Sequence, residues 1–284
     1  AIEVAHERAE AVGVLELLLE GLALVGRRAP FGEEAVAEGL DTRTIGRRII
    51  FLPETGSTNE IGIREALNGA PEGTVIIAGK QTQGRGRMKR SWMTPEGNIA
   101  LSVILYPDMT LLHLLIMAAS LAVVHAVETV TGLKAGIKWP NDVLIDGRKV
   151  CGILIESDIR STGVNYTVTG IGINVNIGND ELAGVLTPAT SLLIETGEEV
   201  SRIDLIRELL SDMDRMYSSL NSGERVFGEW RDRLVTLGTD VCVTSVHDVI
   251  EGIAESVDAS GNLLVRDTAG MLHRIVAGDV TLRR

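Results

Sequence analysis

The sequence predicts an α+β fold, with a central mixed or antiparallel sheet that carries functional loops and a small β-barrel after it. Apolar runs of strand length follow one another, and helical segments lie between only some of them. Neither GxGxxG nor GxxxxGK[ST] occurs, which argues against a doubly wound nucleotide-binding fold. Near Gly238 the pattern changes to five short strand-like runs broken by turns at "DASG" and "DTAG", which is typical of a small closed barrel.

Each element has its own signal. Leucines at helical spacing predict a helix over residues 3–24, and a second short helix follows Pro30. The strand "RRIIFLP" leads to a helix start at Ser57, where Glu60 three residues later predicts a capping box. "GTVIIAGK", "NIALSVILY" and "YTVTGIGINVNI" predict strands, and "AGIKWPNDVLIDGRKVCGILIE" predicts three strands with two tight turns. Helices are predicted over residues 202–233.

The longest apolar segment, residues 111–127, is predicted to be a buried helix. It is shorter than the ~20 apolar residues that a membrane span requires, and His113 and His125 interrupt it. No acidic partner lies near either histidine in sequence, so a metal site is not expected there. Charges stand where a signal peptide would need an apolar core, and the two cysteines lack metal-ligand spacing. We therefore expect a cytoplasmic protein without membrane association.

Charge is concentrated in one loop. The formal net charge of −12 argues against a broad nucleic-acid-binding surface. Even so, the stretch "QTQGRGRMKRSW" combines glycines with four cations: Arg85, Arg87, Lys89 and Arg90. Glycine allows close backbone approach and arginine binds phosphate and carboxylate, so the loop indicates an anion-binding lid. A solvated basic turn and an RGG-like RNA-binding segment are the alternatives.

Four further features place candidate functional groups at turns or strand ends. "KWPNDV" presents the Asp142 carboxylate at a turn, and Lys149 follows a hairpin turn from which an ammonium can reach into a site. Gly170 and Gly172 leave one face of a strand bare, which invites a flat ligand or a neighbouring backbone, and the Asn174 amide follows them. An ordinary turn and a solvated lysine remain open as alternatives for the first two.

The order of these motifs resembles the biotin–protein ligase family. "STN", "GRGRMKRSW", "KWPNDV", "GRKVCGILIE" and "GIGINVN" follow one another, and "GEWRDRLVTLGTDV" and "GDVTLR" extend the resemblance over residues 42–283. It implies a catalytic core similar to that of class II aminoacyl-tRNA synthetases, with a C-terminal SH3-like barrel. The expected divisions are an N-terminal helical segment (1–30), a catalytic domain (31–235) and the SH3-like domain (236–284).

The resemblance also implies residue roles. Lys149, Arg87 and Asp142 are expected to be catalytic. The biotin site is expected to comprise Ser57, Thr58, Asn59, Gln81, Arg85, Gly86, Arg87 and Lys149. The ATP or adenylate site is expected to comprise Arg90, Trp92 and Asn174. ATP and biotin are the implied substrates, and Mg²⁺ is expected through the ATP phosphates, with Asp142 as a candidate ligand.

The implied activity joins biotin to a lysine of a biotin carboxyl carrier protein through biotinyl-5′-AMP. A lipoate or octanoate ligase of the same fold, and a bifunctional ligase/repressor of a biotin operon, are the alternatives. Residues 1–30 hold five glutamates against three arginines, so we expect no DNA binding. A homodimer is left open. Met88 and Lys89 stand where many relatives have a short residue and Gly, so loop closure is expected to differ.

Overall fold

The computed structural model describes residues 31–92, 94–183, 185, 187–220, 223–245 and 248–283. The predicted helix over residues 3–24, and with it the N-terminal segment 1–30, lies outside these residues. The described chain forms a seven-stranded mixed sheet and a separate five-stranded antiparallel sheet. This arrangement confirms the predicted α+β class.

The larger sheet has the strand order β1-β2-β3-β7-β6-β5-β4. Its strands are β1 (Ile49–Thr55), β2 (Val75–Gln81), β3 (Ile99–Leu105), β4 (Gly136–Lys138), β5 (Asp142–Ile145), β6 (Arg148–Arg160) and β7 (Gly163–Ile173). The β1–β2 pair is parallel and every other neighbouring pair is antiparallel. The described helices are α1 (Glu33–Ala37), α2 (Thr58–Leu67), α3 (Leu112–Thr131), α4 (Leu192–Thr196), α5 (Arg202–Ser218) and α6 (Gly223–Asp232).

The two faces of this sheet have different compositions. Alternate residues point to opposite faces of a strand, and the core face has branched apolar side chains such as Leu101, Ile153 and Ile171. On the opposite face α2 packs at one end, where Gly62 lies against Val168. The middle of that face has small residues, and it is the face on which the candidate site lies.

The predicted buried helix is α3, and the prediction is confirmed. The segment Met109–Thr131 is long and apolar enough to cross a membrane by length and composition, but 67% of its most apolar window is buried inside the fold. Apolar residues along its length, such as Leu115 and Leu121, belong to the core beneath the sheet, together with α5 and α6. The apolarity of α3 is therefore explained by packing.

His125 on α3 has acidic partners that the local sequence did not indicate. Its Nδ1 lies 2.5 Å from Asp212 Oδ2 and its Nε2 lies 2.8 Å from Glu229 Oε1. The hydrogen bond with Asp212 raises the pKa of His125 above its ordinary value. The acidic partners come from α5 and α6, far along the chain, so local sequence could not reveal them. Among the described residues, no group of His, Cys, Asp and Glu side chains is arranged to hold a metal ion.

The second sheet contains the five predicted short strands. They are β8 (Asp240–Thr244), β9 (Val249–Val257), β10 (Leu263–Asp267), β11 (Leu272–Ile275) and β12 (Asp279–Arg283). The order is β11-β10-β9-β8-β12, and in the part of the chain described here no ladder joins β11 to β12. Hydrogen bonding therefore leaves the predicted barrel open between these two strands.

Candidate active site

A row of small residues crosses the sheet face opposite α3. The cross-strand register places side by side Ala78, Ala100, Gly172, Gly152, Asp142 and Lys138. We call the part formed by Ala78, Ala100, Gly172 and Gly152 the trough. Residues without long side chains leave room for a ligand to lie against the backbone. The bare face predicted at Gly170 and Gly172 therefore extends over four strands, β2, β3, β7 and β6. A carboxylate-bearing residue, Asp142, and an ammonium-bearing residue, Lys138, lie at its end.

The indole of Trp92 lies in the trough. A Cβ built on Gly172 would lie 2.2 Å from Trp92 Nε1, and one on Gly152 would lie 3.2 Å from its Cζ3. The Lys149 ammonium lies 5.1 Å from the ring centroid, within range of a cation–π interaction. Trp92 Nε1 is buried and has no hydrogen-bond partner among the described residues. The glycines are thus needed for contact with a flat ring.

A polar network forms the other end of the site at the start of α2. Gln81 Oε1 accepts hydrogen bonds from the Thr58 backbone N–H (2.7 Å) and hydroxyl (3.0 Å). The Ser102 hydroxyl lies 2.8 Å from Thr58 Oγ1 and 2.7 Å from Asn59 Oδ1. The Asn59 carboxamide covers Gly170, where a Cβ would come within 2.1 Å of its Oδ1. The structure therefore brings together three of the predicted biotin-site residues, and adds Ser102.

Ser57 is the N-cap of α2, but the predicted capping box is wrong. The Ser57 side chain makes no capping hydrogen bond. Glu60 instead lies 3.7 Å from the guanidinium of Arg85 in the basic loop. Ser57 is only 3% exposed, and its hydroxyl has no hydrogen-bond partner among the described residues. This leaves the hydroxyl available to a ligand.

Glu156 links this polar network to the basic loop. Its Oε2 accepts a hydrogen bond from Asn59 Nδ2 at 2.8 Å and another from Arg85 Nη2 at 3.2 Å. Because Asn59 Nδ2 donates to Glu156, its Oδ1 is directed to Ser102, which fixes the orientation of the carboxamide. Glu156 was not singled out in the sequence, where it ends an ordinary strand pattern.

Lys149 and Asp142 form an ion pair at the far end of the trough. Lys149 Nζ lies 2.7 Å from Asp142 Oδ1, and both side chains are partly exposed. The β5–β6 register shifts between Val143 and Leu144, so that Val143 pairs with Cys151 and Leu144 with Lys149. Val150 is the extra residue of this bulge. The bulge places Lys149 on the same face as Gly152.

The basic loop forms a tight hairpin that reaches the second sheet. Isolated antiparallel β-bridges pair the backbone of Gln81 with that of Thr94, and the backbone of Arg85 with that of Ser91. The Gly86 N–H donates to the Arg90 carbonyl. Met88 at the tip has a left-handed conformation, with φ 54° and ψ 37°, which is uncommon for a residue with a side chain.

Two arginines of the loop, Arg87 and Arg90, make hydrogen bonds to residues outside it. Arg87 donates to Asn141 Oδ1 at 2.9 Å and to the Gly278 carbonyl at 3.1 Å. Arg90 pairs with both carboxylate oxygens of Asp279, at 3.0 and 2.5 Å. Burial lowers the pKa of Arg87, whereas the hydrogen bond with Asp279 raises that of Arg90.

The Asn174 side chain is hydrogen-bonded within the protein at both of its amide atoms. Its Nδ2 donates to the Thr190 carbonyl at 3.0 Å, and its Oδ1 accepts from Asn98 Nδ2 at 3.4 Å. The side chain is buried, and its amide is used by the protein in this conformation. A direct adenine contact by Asn174 therefore stays a prediction.

Comparison with known proteins places the chain in a family. Residues 52–176 match the Biotin/lipoate A/B protein ligase family and residues 236–283 the Biotin protein ligase C terminal domain. A "Bifunctional ligase/repressor BirA" of Bacillus spizizenii is 34% identical over 281 residues, covering 97% of this chain and 86% of that protein. The chain belongs to the biotin protein ligase family.

Other members agree with this assignment. A "Biotin--[acetyl-CoA-carboxylase] ligase" of Mycobacterium tuberculosis is 34% identical over 265 residues, covering 89% of this chain and 96% of that protein. The solved structure of the Aquifex aeolicus biotin protein ligase in complex with biotin and ATP superposes with a TM-score of 0.70. It is 28% identical and covers 84% of this chain and 99% of its own. The resemblance in the motif order is confirmed.

For this biotin protein ligase family member, the structure gathers most of the predicted site residues around one sheet face. Thr58, Asn59 and Gln81 lie at the polar end, and Trp92 and Lys149 lie over the trough. The structure adds seven residues that were not in the predicted site: Thr94, Ser102, Lys138, Asn141, Glu156, Gly278 and Asp279. Most of them are contacted by predicted site residues that lie far from them in sequence.

Proposed function

We propose that this protein is an ATP-dependent biotin–protein ligase. It joins biotin to ATP, giving biotinyl-5′-AMP and pyrophosphate, and transfers the biotinyl group to one lysine of a carrier protein. The observation that supports this best is the order of features along one sheet face. A fixed polar network stands at one end, a trough of small residues follows, and a cluster of cations stands at the other end. An elongated ligand with a polar head and a carboxylate tail fits that order.

The polar end suits the ureido head of biotin. The Thr58, Asn59 and Ser102 side chains are already held by one another and by Gln81, so they are preorganised rather than free to rotate. The unpaired Ser57 hydroxyl adds a donor and acceptor. The apolar part of the ligand would lie along the trough. Trp92 lies there in this conformation, so binding requires the indole to pack beside the ligand.

The cationic end suits the reaction itself. Adenylation brings the biotin carboxylate, an anion, against the α-phosphate of ATP, also an anion. The carboxylate oxygen bonds to the α-phosphorus, and the bond from that phosphorus to the bridging oxygen breaks with its electron pair leaving on pyrophosphate. Lys149 and Arg87 would offset the repulsion and the charge that develops at phosphorus. Asp142, paired with Lys149, would hold the ammonium in place.

The basic loop would retain the product. The mixed anhydride reacts with water, so it must be covered until the carrier arrives. Arg85, Gly86 and Arg90 belong to the hairpin beside the trough, and such loops can close over a site. In the second step the carrier's lysine amine, after losing a proton, attacks the biotinyl carbonyl and forms an amide, and AMP leaves.

Mg²⁺ fits as an ion bound mainly through the substrate. Mg²⁺ is commonly held by one or two carboxylates together with nucleotide phosphates, and Asp142 and Asp279 are the carboxylates beside the cation cluster. It would supply neutralisation of the phosphate charges. Asp142 is the nearer candidate because it lies next to Lys149.

The remaining expectations are also proposals. Relatives named as acetyl-CoA-carboxylase ligases favour a biotin carboxyl carrier protein as the acceptor. The division into a catalytic unit (31–235) and an SH3-like unit (236–284) agrees with the C-terminal family match at 236–283. Cytoplasmic location and a homodimer remain proposals that co-fractionation and light scattering can test.

One experiment distinguishes biotin from lipoate as the substrate, and adenylation from transfer to the acceptor. Purified protein is incubated with [α-³²P]ATP and either biotin or lipoate, and the labelled acyl-adenylate is resolved by thin-layer chromatography. We expect label in biotinyl-AMP only. A second reaction adds host lysate and is probed with streptavidin, which should reveal the acceptor. Adenylate formed with lipoate instead of biotin would support the lipoate ligase alternative and overturn the proposal.

A further inference from the structure

Lys138 lies at the cationic end of the site. It is the last residue of β4 and pairs across the ladder with Asp142, so the two side chains share the face that holds the trough. Asp142 in turn pairs with Gly152 in the next strand. Lys138 therefore lies on the far side of Asp142 from the trough.

Within the described part of the chain, the Lys138 ammonium has no hydrogen bond or ion pair. Asp142 is engaged by Lys149 at 2.7 Å, and Asp279 is engaged by Arg90. Burial lowers the pKa of Lys138, while Asp142 and Asp279 raise it and Lys149 and Arg90 lower it further. Burial disfavours the ammonium and the two nearby carboxylates are engaged by other cations, so an anionic ligand would offset the remaining cost.

The cluster at this end of the site contains more positive than negative charges. Four cations face two carboxylates, and the cations are Arg87, Arg90, Lys138 and Lys149. Arg87 is bound to a neutral amide and a carbonyl, so its charge is also unpaired by any carboxylate contact in the described residues. In a chain with a net charge of −12, this local excess of positive charge marks the end of the face as a polyanion site.

We propose that Lys138 binds the β- and γ-phosphates of ATP and the pyrophosphate that leaves. This inference rests on the proposed ligase function, which places the α-phosphate beside Lys149. The phosphates beyond it continue past Asp142, where Lys138 is the next cation. Lys138 is then a binding residue for the leaving group, and it takes no part in the transfer of biotin from the adenylate to the carrier.

The two half-reactions separate this role from that of Lys149. Lys138→Met keeps the length of the side chain and removes its charge. We expect the variant to raise KM for ATP about tenfold or more in biotin-dependent pyrophosphate–ATP exchange, since a charged hydrogen bond is worth about 1.4 kcal/mol or more. The KM for pyrophosphate in the reverse direction should rise similarly, while KM for biotin changes less than about threefold, because only ATP and pyrophosphate contain the phosphates that Lys138 contacts.

Transfer from chemically supplied biotinyl-5′-AMP to the carrier should proceed at the wild-type rate in Lys138→Met. Lys138→Arg keeps the charge and should recover most of the affinity for ATP. Lys134→Met, an exposed lysine just before the same strand, is the matched control and should change neither half-reaction. Unchanged KM for ATP and pyrophosphate, or equal loss in both half-reactions, would overturn the inference. A wild-type enzyme that makes no biotinyl-AMP would instead refute the proposed function.

Discussion

Gly172 and Gly152 provide a matched pair of substitutions in the trough. They are cross-strand neighbours, and both face the Trp92 ring. An alanine at 172 would put its Cβ 2.2 Å from Trp92 Nε1, so the indole has to move about 1.2 Å to reach ordinary contact near 3.4 Å. An alanine at 152 would lie 3.2 Å from Trp92 and from Lys149, and a shift of about 0.2 Å is enough.

The size of each indole displacement determines the expected loss of adenylation activity. Misplacement of a site by 1 Å can cost about 10²-fold in rate, so we expect Gly172→Ala to lower kcat/KM for adenylation about 100-fold. Gly152→Ala should lose less than about tenfold. Biotin-dependent pyrophosphate–ATP exchange measures both values. Thermal unfolding should show both variants folded, because the displaced group belongs to the loop and the core face of the strand is untouched.

Tryptophan fluorescence reports the cause directly. The chain has two other tryptophans, Trp139 and Trp230, and both are buried, so their emission should be the same in all variants. The spectrum of each variant minus that of its Trp92→Phe derivative therefore gives the emission of Trp92. Gly172→Ala should shift the Trp92 emission to the red as the ring leaves the trough, and Gly152→Ala should not. Wild-type exchange by Gly172→Ala, with unchanged Trp92 emission, would refute the assignment of the trough as the ligand site.

Three other predictions concern the ends of the site and the N-terminal segment. Lys149→Ala should reduce biotinyl-AMP formation by at least about 100-fold, the ~3 kcal/mol typical of one transition-state donor, and wild-type pyrophosphate release would contradict this role. Glu156→Gln should raise KM for biotin several-fold with little change in KM for ATP, because the glutamine amide can donate as well as accept and no longer fixes Asn59 and Arg85. Pyrophosphate–ATP exchange rates at varied biotin and varied ATP measure both constants, and equal changes in the two would contradict this role. The acidic segment 1–30 should give no gel shift with the promoter of the organism's own biotin operon at physiological salt, and a specific biotin-dependent complex, in line with the relatives named as repressors, would establish the alternative.

The sequence predicted the elements well because their signals are local. Strands such as β3 and β7 are runs of β-branched and apolar residues with small residues on one face, and α3 is apolar over most of its length. Two of the turns between the C-terminal strands, "DASG" and "DTAG", end in glycine and are visible in the sequence. Each of these elements depends on residues within one window, so periodicity and turn chemistry were sufficient.

The partners within the site were not predictable in this way. Ser102 is one polar residue in a buried strand, and only the pairing of β3 with β7 puts its hydroxyl beside Asn59. Asp279 begins the last strand of the second sheet, 189 residues from Arg90. Such contacts depend on how distant elements pack, and one sequence contains no local signal for them. The motif order indicated the family, but not these contacts.

The position of Lys149 shows how far alternation alone can mislead. Gly152 lies on the face of the trough, and strict alternation along β6 would place residue 149, three positions earlier, on the core face. The shifted register inserts Val150 as an extra residue, so Val150 and Cys151 are both buried and Lys149 returns to the face of Gly152. Nothing in "GRKVCGIL" marks a bulge, yet without it an ammonium would point into the apolar core. The bulge is therefore the backbone feature on which the ion pair with Asp142, and the chemistry proposed for it, depends.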